Sequence, residues 1–445
     1  MKVKVLSRNP DDYQRETNKD IHKLVRNWNA PEDPFQAQTE YTRAMNATKL
    51  ERVFAKPFVA SFDGHMEGVN VLAKHPDRPS TIISGARDGQ VKIWNLANKQ
   101  CLSTIQAHVG NMTGLSVDLS SGTGFITVGL DQQVKFWNLG HPVEENVSIP
   151  LHSVPLAGVA HGVSHLAKSS DFAVCGEGVD IWKPNRNTPI RKYNVGPNTV
   201  HAVKGNPIEE AVILGCASDR SIFVIDSRQK NALRTVTMKL RSNAIAWNPI
   251  EAYTFAVCSD DYNSYSFDMR YMAHPKYMHG GHGAAVIDID YSPTGKEIVT
   301  GSFDKTIRIF GCTESRSRDV YHTGRMSTVL SVLWSMDNKF VLCGSNEMNI
   351  RIWKAKAAEK IGPLAPREKS AFAYSEKLRD QYKDHPEIRR IARHRQLPGS
   401  VFHARKEHDI IRKARSRKEL RRRENGEEAK PFVPMVQQSM ADSSK

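Results

Sequence analysis

Between residues 279 and 310, HGGHGAAVIDIDYSPTGKEIVTGSFDKTIRIF, apolar and polar positions alternate in three short runs. Val286-Ile287-Asp288-Ile289-Asp290-Tyr291 follows the period of two expected of a strand half-buried on one face. Ser292-Pro293-Thr294-Gly295 interrupts it, with proline and glycine presetting a turn. Alternation resumes from Ile298 to Ser302 and again from Thr306 to Phe310, on either side of a tight turn at Asp304-Lys305. The pattern predicts three antiparallel strands introduced by the pair Gly281-His282.

The same order of residues recurs from Gly64-His65 through Ser84-Gly85-Ala86-Arg87-Asp88 to Val91-Lys92-Ile93-Trp94. Aligning the large residue six positions after the turn acid gives Trp94, Trp137, Trp182, Ile225, Phe267, Phe310 and Trp353, seven marks spaced 42 to 45 residues apart. That is the period of WD-repeat propeller blades. The turn acids are Asp88, Asp131, Asp219, Asp261, Asp304 and Glu347. The third unit has Gly176 in that place, and residues 142–170 before it show no clear Gly-His pair. A four-stranded blade cannot bury both faces alone, so the expected fold is all-β, a seven-bladed WD-repeat β-propeller. The seventh unit lacks an outer strand downstream, because the chain reads helical and basic from Lys354 onward. Pro57-Phe58-Val59-Ala60-Ser61 is the expected donor, pairing with the last blade and removing an open sheet edge.

The expected organisation is an N-terminal extension (1–56), the propeller (57–353), a basic α-helical tail (354–430) and a disordered end (431–445). The extension is too sparse in apolar residues for a core of its own and is expected to lie along the ring or a partner, with Tyr13, Trp28, Phe35 and Tyr41 as anchors. Residues 46–58 predict a short helix with Leu50, Val53 and Phe54 on one side. In the tail, Pro366 opens a helix carrying Phe372, Leu378 and Tyr382. Asp384-His385-Pro386 interrupts it, and Glu387 to Arg395 places Ile388 and Ile391 on one face. After the turn Leu397-Pro398-Gly399, Ser400 is the expected N-cap of a long helix to Arg423, with Val401, Ile410, Ile411 and Leu420 as thin apolar points. Such a stripe is expected to order against a partner.

Charge sharpens this division. The 445 residues carry a net +15, and residues 354–430 hold 23 basic against 12 acidic side chains, +11 of that excess. That imbalance implies an anionic partner, and no run approaches the roughly 20 apolar residues that span a bilayer. In the tail, Arg389, Arg390, Arg393, Arg395, Arg412, Lys413, Arg415 and Arg417 are the candidate contacts to RNA or ribonucleoprotein, since guanidinium matches phosphate and counterion release drives binding. The competing reading is a solvated helix whose block RKARSRKELRRR serves only nuclear import, and the two are compatible. The N-terminus has no apolar segment of a signal or transit peptide. Six cysteines (Cys101, Cys175, Cys216, Cys258, Cys312, Cys343) are scattered without zinc or disulfide spacing. Cys175, Cys216, Cys258 and Cys343 read as small hydrophobes on inner strands in a reducing compartment.

His65, Ser84, Asp88 and Trp94 include the residue types of a hydrolase triad. Repetition argues otherwise, because a triad occurs once, whereas Ser302 and Asp304 recur with Phe310 at the place of Trp94. The expected role is a structural network satisfying polar groups that the blades bury. With no phosphate-cradling loop, metal spacing or unique nucleophile-base pair, neither an enzyme nor a cofactor is expected. Two blade ends share hydrophobic-Asp-x-Arg: Ile225-Asp226-Ser227-Arg228 and Phe267-Asp268-Met269-Arg270. The plain reading is a local ion pair fixing a loop. The alternative is a docking site, since adjacent blades with this motif resemble substrate receptors of cullin-RING ubiquitin ligases, in which the arginine contacts a propeller adaptor.

Beyond the blades, several segments together carry a family resemblance: MKVKVLSRNP, ATKLERVFAKPF, SFDKTIRIF with SRSRDVYHTGRM, GSNEMNIRIWKA and IRRIARHRQLPGSVFHA. Over almost its full length the chain resembles the Sof-type WD-repeat proteins of the small-subunit processome. The resemblance implies a nucleolar, hence nuclear, assembly factor that works with a small nucleolar RNA particle and processome proteins on the pre-ribosomal small-subunit particle. It also implies, for animal members, a ubiquitin-ligase receptor role. Arg228 and Arg270 match the receptor motif, and Arg389, Arg390, Arg393 and Arg395 fall within the family's tail signature.

Overall fold

A computed structural model describes residues 35–139, 149–196, 198–426 and 436–440. The chain divides into two compact units, one built from the N-terminal segment to Phe54 with Lys360–His394, the other from Ala55–Glu359 with the residues after His394.

The larger unit is the propeller. Seven four-stranded antiparallel sheets follow one another along the chain, six of them from consecutive strands. They span residues 69–106, 112–155, 162–193, 200–237, 242–279, 286–321 and 329–354, hereafter blades one to seven. Blade seven takes its fourth strand, Phe58–Phe62, from ahead of blade one, with Phe58 opposite Trp353 and Phe62 opposite Ile350. The expected clasp is therefore present, and the outermost edge of the last blade is paired.

Hydrophobic burial lies between blades. Ile83, Val91 and Ile93 of blade one pack with Leu115, Phe125 and Trp137 of blade two, and an equivalent cluster fills each following junction. The seventh cluster joins Leu333, Leu342, Ile350 and the clasp residue Phe62 to Val69, Ile82 and Trp94 of blade one. Phe62 lies parallel to Trp94 at 4.9 Å between centroids. On either side of blade seven the channel-lining strands are also tied to blade six. Asp288 and Asp290 of blade six accept the Val332 and Trp334 amides of blade seven at 2.7 and 2.8 Å, and Lys74 of blade one reaches Asp290 at 3.1 Å. Burial pushes the Asp288 carboxyl up to about 6. Cys175, Cys216, Cys258 and Cys343 are buried on the second strands of their blades, and burial raises their thiol pKa values.

The polar networks follow the repeat with differences. In blade two the network is complete: His108 Nδ1 lies 2.9 Å from Asp131, Nε2 lies 2.8 Å from Thr127 Oγ1, and Trp137 Nε1 donates to that hydroxyl at 2.8 Å. In blade one, His65 Nε2 and Trp94 Nε1 both meet Ser84 Oγ at 2.7 Å. There the expected link to the turn acid is missing: Asp88 instead caps the Gln90 amide at 2.9 Å, and His65 Nδ1 is buried without a partner. In blade six, His282 joins Asp304 at 3.0 Å and Thr300 Oγ1 at 2.8 Å. Thr300, not Ser302, is the network hydroxyl, because Thr300 occupies the place of Ser84 and Ser302 that of Ala86. Ser302 Oγ donates to the Ala285 carbonyl at 2.8 Å and accepts the Asp304 amide at 3.1 Å.

The smaller unit contains α1 (Gln36–Val53), α2 (Pro366–Gln381) and α3 (Pro386–Arg393). Prolines at the first helical position preset the starts of α2 and α3. The N-terminal extension, expected along the ring or a partner, and the tail, expected to order against a partner, share a small core of Ala44, Leu378 and Ile388 with Tyr41, Met45 and Tyr382 around it. The Tyr41 ring sits 4.4 Å from that of His385, and its hydroxyl donates to Glu387 at 2.8 Å. Leu50, Val53 and Phe54, placed on one side of the expected helix, are exposed, while Ala44 and Thr48 are covered. Phe35 is likewise exposed, and Tyr13 and Trp28 lie outside the described residues.

Burial holds His65 and His165 neutral, with pKa values lowered to about 4 from an ordinary 6.5. Between those values the unfolded chain binds protons that the folded one refuses, so stability falls as pH drops from about 6.5 to about 4. Each ring contributes on the order of 3 kcal/mol to that loss. Thermal melts between pH 7 and pH 4 should show this slope, and His65→Gln should flatten part of it. An unchanged slope in the variant would mean that His65 is not held neutral by the fold.

Candidate docking and nucleic-acid interfaces

Each Asp-x-Arg motif sits where the third strand of its blade turns back, Ser221–Asp226 in blade four and Ser264–Asp268 in blade five. The aspartate caps the turn, accepting the Arg228 or Arg270 amide at 2.9 Å. The arginines then differ. Arg270 grips Asp268 with two bonds, Nε to Oδ1 at 3.1 Å and Nη2 to Oδ2 at 2.8 Å, and its guanidinium lies 3.8 Å above the Tyr253 ring. These bonds hold the Asp268 carboxyl below the usual carboxylate range. Arg228 has one longer contact, Nε to Asp226 Oδ1 at 3.4 Å, and its side chain is 72% exposed against 64% for Arg270. Exposed pairs of this kind contribute under about 1 kcal/mol, so both arginines are available to a partner at small cost.

The loops bearing them are fixed from the blade before. Tyr193 on the outer strand of blade three donates to the Gln229 carbonyl at 2.9 Å, and Arg191 to that of Ser227. Arg234 on the outer strand of blade four donates to the carbonyls of Met269, at 3.2 Å, and Arg270. Arg318 repeats the link from blade six to the Ala355 carbonyl at 2.6 Å. Sequence reasoning missed these three arginines, although Arg191, Arg234 and Arg318 recur in step with the blade period and the spacing would have revealed them.

The basic candidates fall into three groups. Arg389, Arg390 and Arg393 project from α3 as exposed side chains of the smaller unit. Arg395 does not belong with them: its side chain is only 15% exposed, Nε donates to the Arg318 carbonyl at 2.6 Å and lies 3.5 Å from Asp319. It fastens the chain to blade six. Arg412, Lys413, Arg415 and Arg417 are exposed on α4 (Gly399–Glu424), which belongs with the propeller and extends about 39 Å at 1.5 Å per residue. Pro398, not Ser400, stands at its N-cap and no side chain caps it; proline's restricted backbone starts the helix two residues earlier than expected.

One end of α4 is seated and the other is exposed. Val401 is buried where blade six presents Gly283; a Cβ there would lie 3.5 Å from Val401 and 3.6 Å from Ala404. His408 stacks on Tyr262 of blade five at 4.8 Å with rings 6° from parallel. Beyond that point Ile410, Ile411 and Leu420 are exposed among the arginines. The chain meets the ring again in the stretch expected to be disordered. The Lys239 amide donates to the Ser439 carbonyl at 2.8 Å, and Met440 packs on the core between blades four and five. Among the described residues no His, Cys, Asp and Glu cluster is arranged to hold a metal, and no helix is long and apolar enough to cross a membrane.

A family model for the WD domain, G-beta repeat, matches residues 56–95, 99–138, 274–311 and 318–354, and the Sof1-like domain matches residues 355–440. The fold alone is shared with the WD40 β-propeller domain of Doa1, with a TM-score of 0.57 and 19% identity over 67% of this chain and 96% of that one. Ring and tail thus define a WD-repeat protein with a Sof1-like domain, a class of scaffold or receptor. Curated relatives named "DDB1- and CUL4-associated factor 13" are 50% identical in Xenopus laevis and 49% in Homo sapiens, each covering 98% of this chain and 97% of the relative. The Dictyostelium discoideum protein of that name is 40% identical over 94% of both chains. The chain belongs to this family of Sof1-like WD-repeat proteins.

Removing the Arg395 guanidinium takes an ion-pair partner from Asp319, itself only 7% exposed, and the bond to the Arg318 carbonyl. Arg395→Ala should therefore lower stability by about 1–3 kcal/mol, whereas alanine at Arg389, Arg390 or Arg393 should change it by under about 0.5 kcal/mol. Denaturant melts separate the cases, and equal effects at all four positions would contradict the assignment.

Proposed function

We propose that the protein is a non-catalytic scaffold of the small-subunit processome, acting in the nucleolus, where it supports pre-rRNA processing and maturation of 18S rRNA. The observation that carries this reading is α4: a helix seated on the ring at its N-terminal end, with the block from Arg412 to Arg423 exposed, inside a Sof1-like domain. Guanidinium and ammonium groups along such a helix suit phosphates, and the ring offers separate surfaces for processome proteins. Depleting the protein should raise unprocessed small-subunit precursor, and deleting residues 354–445 should release it from large pre-ribosomal particles. Replacing Arg412, Lys413, Arg415 and Arg417 with glutamine should weaken binding to a pre-rRNA fragment and flatten its salt dependence, by a slope of roughly 3 if all four meet single-stranded phosphates. Normal precursor processing after depletion would refute the reading.

A second role rests on the paired Asp-x-Arg loops and on the name that the relatives carry. In this role the chain is a substrate receptor that carries Arg228 and Arg270 to the adaptor DDB1 of a CUL4 ubiquitin ligase. Replacing both arginines with alanine should abolish adaptor capture and shift stability by under about 0.5 kcal/mol, since both side chains are exposed. Undiminished capture would remove the basis for the role.

A further inference from the structure

Blade three departs from its neighbours where the polar network belongs. In blade one Leu72 pairs with Ser84 and Ile82 with Trp94; in blade three Val163 pairs with Val174 and Phe172 with Trp182. Val174 and Trp182 thus stand at the places of Ser84 and Trp94, and Leu156, seven residues before Val163 as His65 is before Leu72, stands at the place of His65. The turn that follows is two residues shorter and has no counterpart of Asp88. Three residues, Gly176-Glu177-Gly178, join Cys175 to Val179, where five join Gly85 to Val91. Only glycine allows so tight a turn here: a Cβ on Gly176 would lie 2.6 Å from the Val159 carbonyl oxygen, and one on Gly178 would lie 2.5 Å from that of Tyr193.

Two consequences follow. Trp182 is 4% exposed and its Nε1 has no hydrogen-bond partner among the described residues, whereas Trp94 and Trp137 donate to Ser84 and Thr127. A buried donor left unpaired is destabilising. A cavity of about 280 Å³ also opens, bounded by the loop from Pro155 to Ala160, the short glycine turn, and Leu156, Val174 and Trp182. Its rim carries Glu177, Asp180 and Lys192. Asp180 meets Lys192 only at 4.0 Å, and the exposed Glu177 makes no ion pair among the described residues.

We propose that this cavity receives an arginine or lysine side chain from an extended segment of a partner protein. The apolar wall suits the aliphatic stem of such a side chain, and the two carboxylates suit its charged head. On a chain of net charge +15, this pocket with two acids against one lysine selects for a basic peptide and against nucleic acid, whose phosphates the carboxylates repel. The site shares no residue with the Asp-x-Arg loops or α4.

The test uses the full chain with ¹⁵N-labelled tryptophan, the Trp182 indole resonance being assigned by its loss in Trp182→Phe. The probes are acetyl-Ala-Arg-Ala-amide and its glutamine counterpart. The arginine peptide should move the Trp182 resonance saturably and the glutamine peptide should not. Glu177→Gln should weaken binding about tenfold, equivalent to about 1.4 kcal/mol. The other indole resonances report whether each variant stays folded. A Trp182 resonance unmoved by the arginine peptide, equal responses to both peptides, or undiminished binding in a folded Glu177→Gln variant would overturn the proposal.

Discussion

The ring stands on one strand-to-strand pairing, that of Phe58–Phe62 with Ile350–Lys354. Each blade is covered only by the blades beside it, so an open ring would expose two apolar faces and one unpaired edge. The clasp removes the edge with backbone hydrogen bonds and fills the last junction with Phe62, which lies against Trp94. Because the clasp comes from ahead of blade one and the partner strand from blade seven, closure joins residues almost 300 positions apart. Loop-closure entropy rises only slowly with such a separation, so this topology is affordable in stability although slow to form.

With the ring closed, polar groups set how stiff each blade is and what it can offer. Where His, Thr and Trp meet a turn acid, as in blade two, every buried donor has an acceptor and the turn is held. Where the turn acid is disengaged, as in blade one, a buried histidine nitrogen stays unpaired. Blade three discards the network altogether, and Leu156 and Val174 make up the loss by packing in the cluster shared with blade two. The same ring therefore presents different surfaces from blade to blade: pinned Asp-x-Arg loops on blades four and five, the seat of α4 on blades five and six, and an acidic recess on blade three.

The repeat was legible because burial between blades imposes the same alternation, turn residues and large terminal side chain seven times. The clasp was legible for a related reason, since a blade missing its last strand demands a donor. Site residues were harder to read wherever a role depends on a partner distant in sequence. Arg395 lies in the same basic run as Arg393, yet Asp319 and the Arg318 carbonyl turn it into a fastening. Ser302 and Thr300 lie on one strand two residues apart, and it is Thr300, four residues before the turn acid as Ser84 is before Asp88, that meets His282. Helix α1 finds its core in residues more than 300 positions away, which no local pattern encodes.

A ring closed by a single strand should respond as a whole when that strand fails. The most direct measurement is amide hydrogen exchange across all seven blades in the full chain and in a variant with Ala60→Pro and Phe62→Asp, which breaks the pairing and places charge in the last junction. The predicted result is accelerated exchange in every blade, with a single melting transition moved to lower temperature. Faster exchange confined to blade seven, with the other six blades protected as before and the melt unchanged, would contradict closure by this clasp as the source of the ring's integrity.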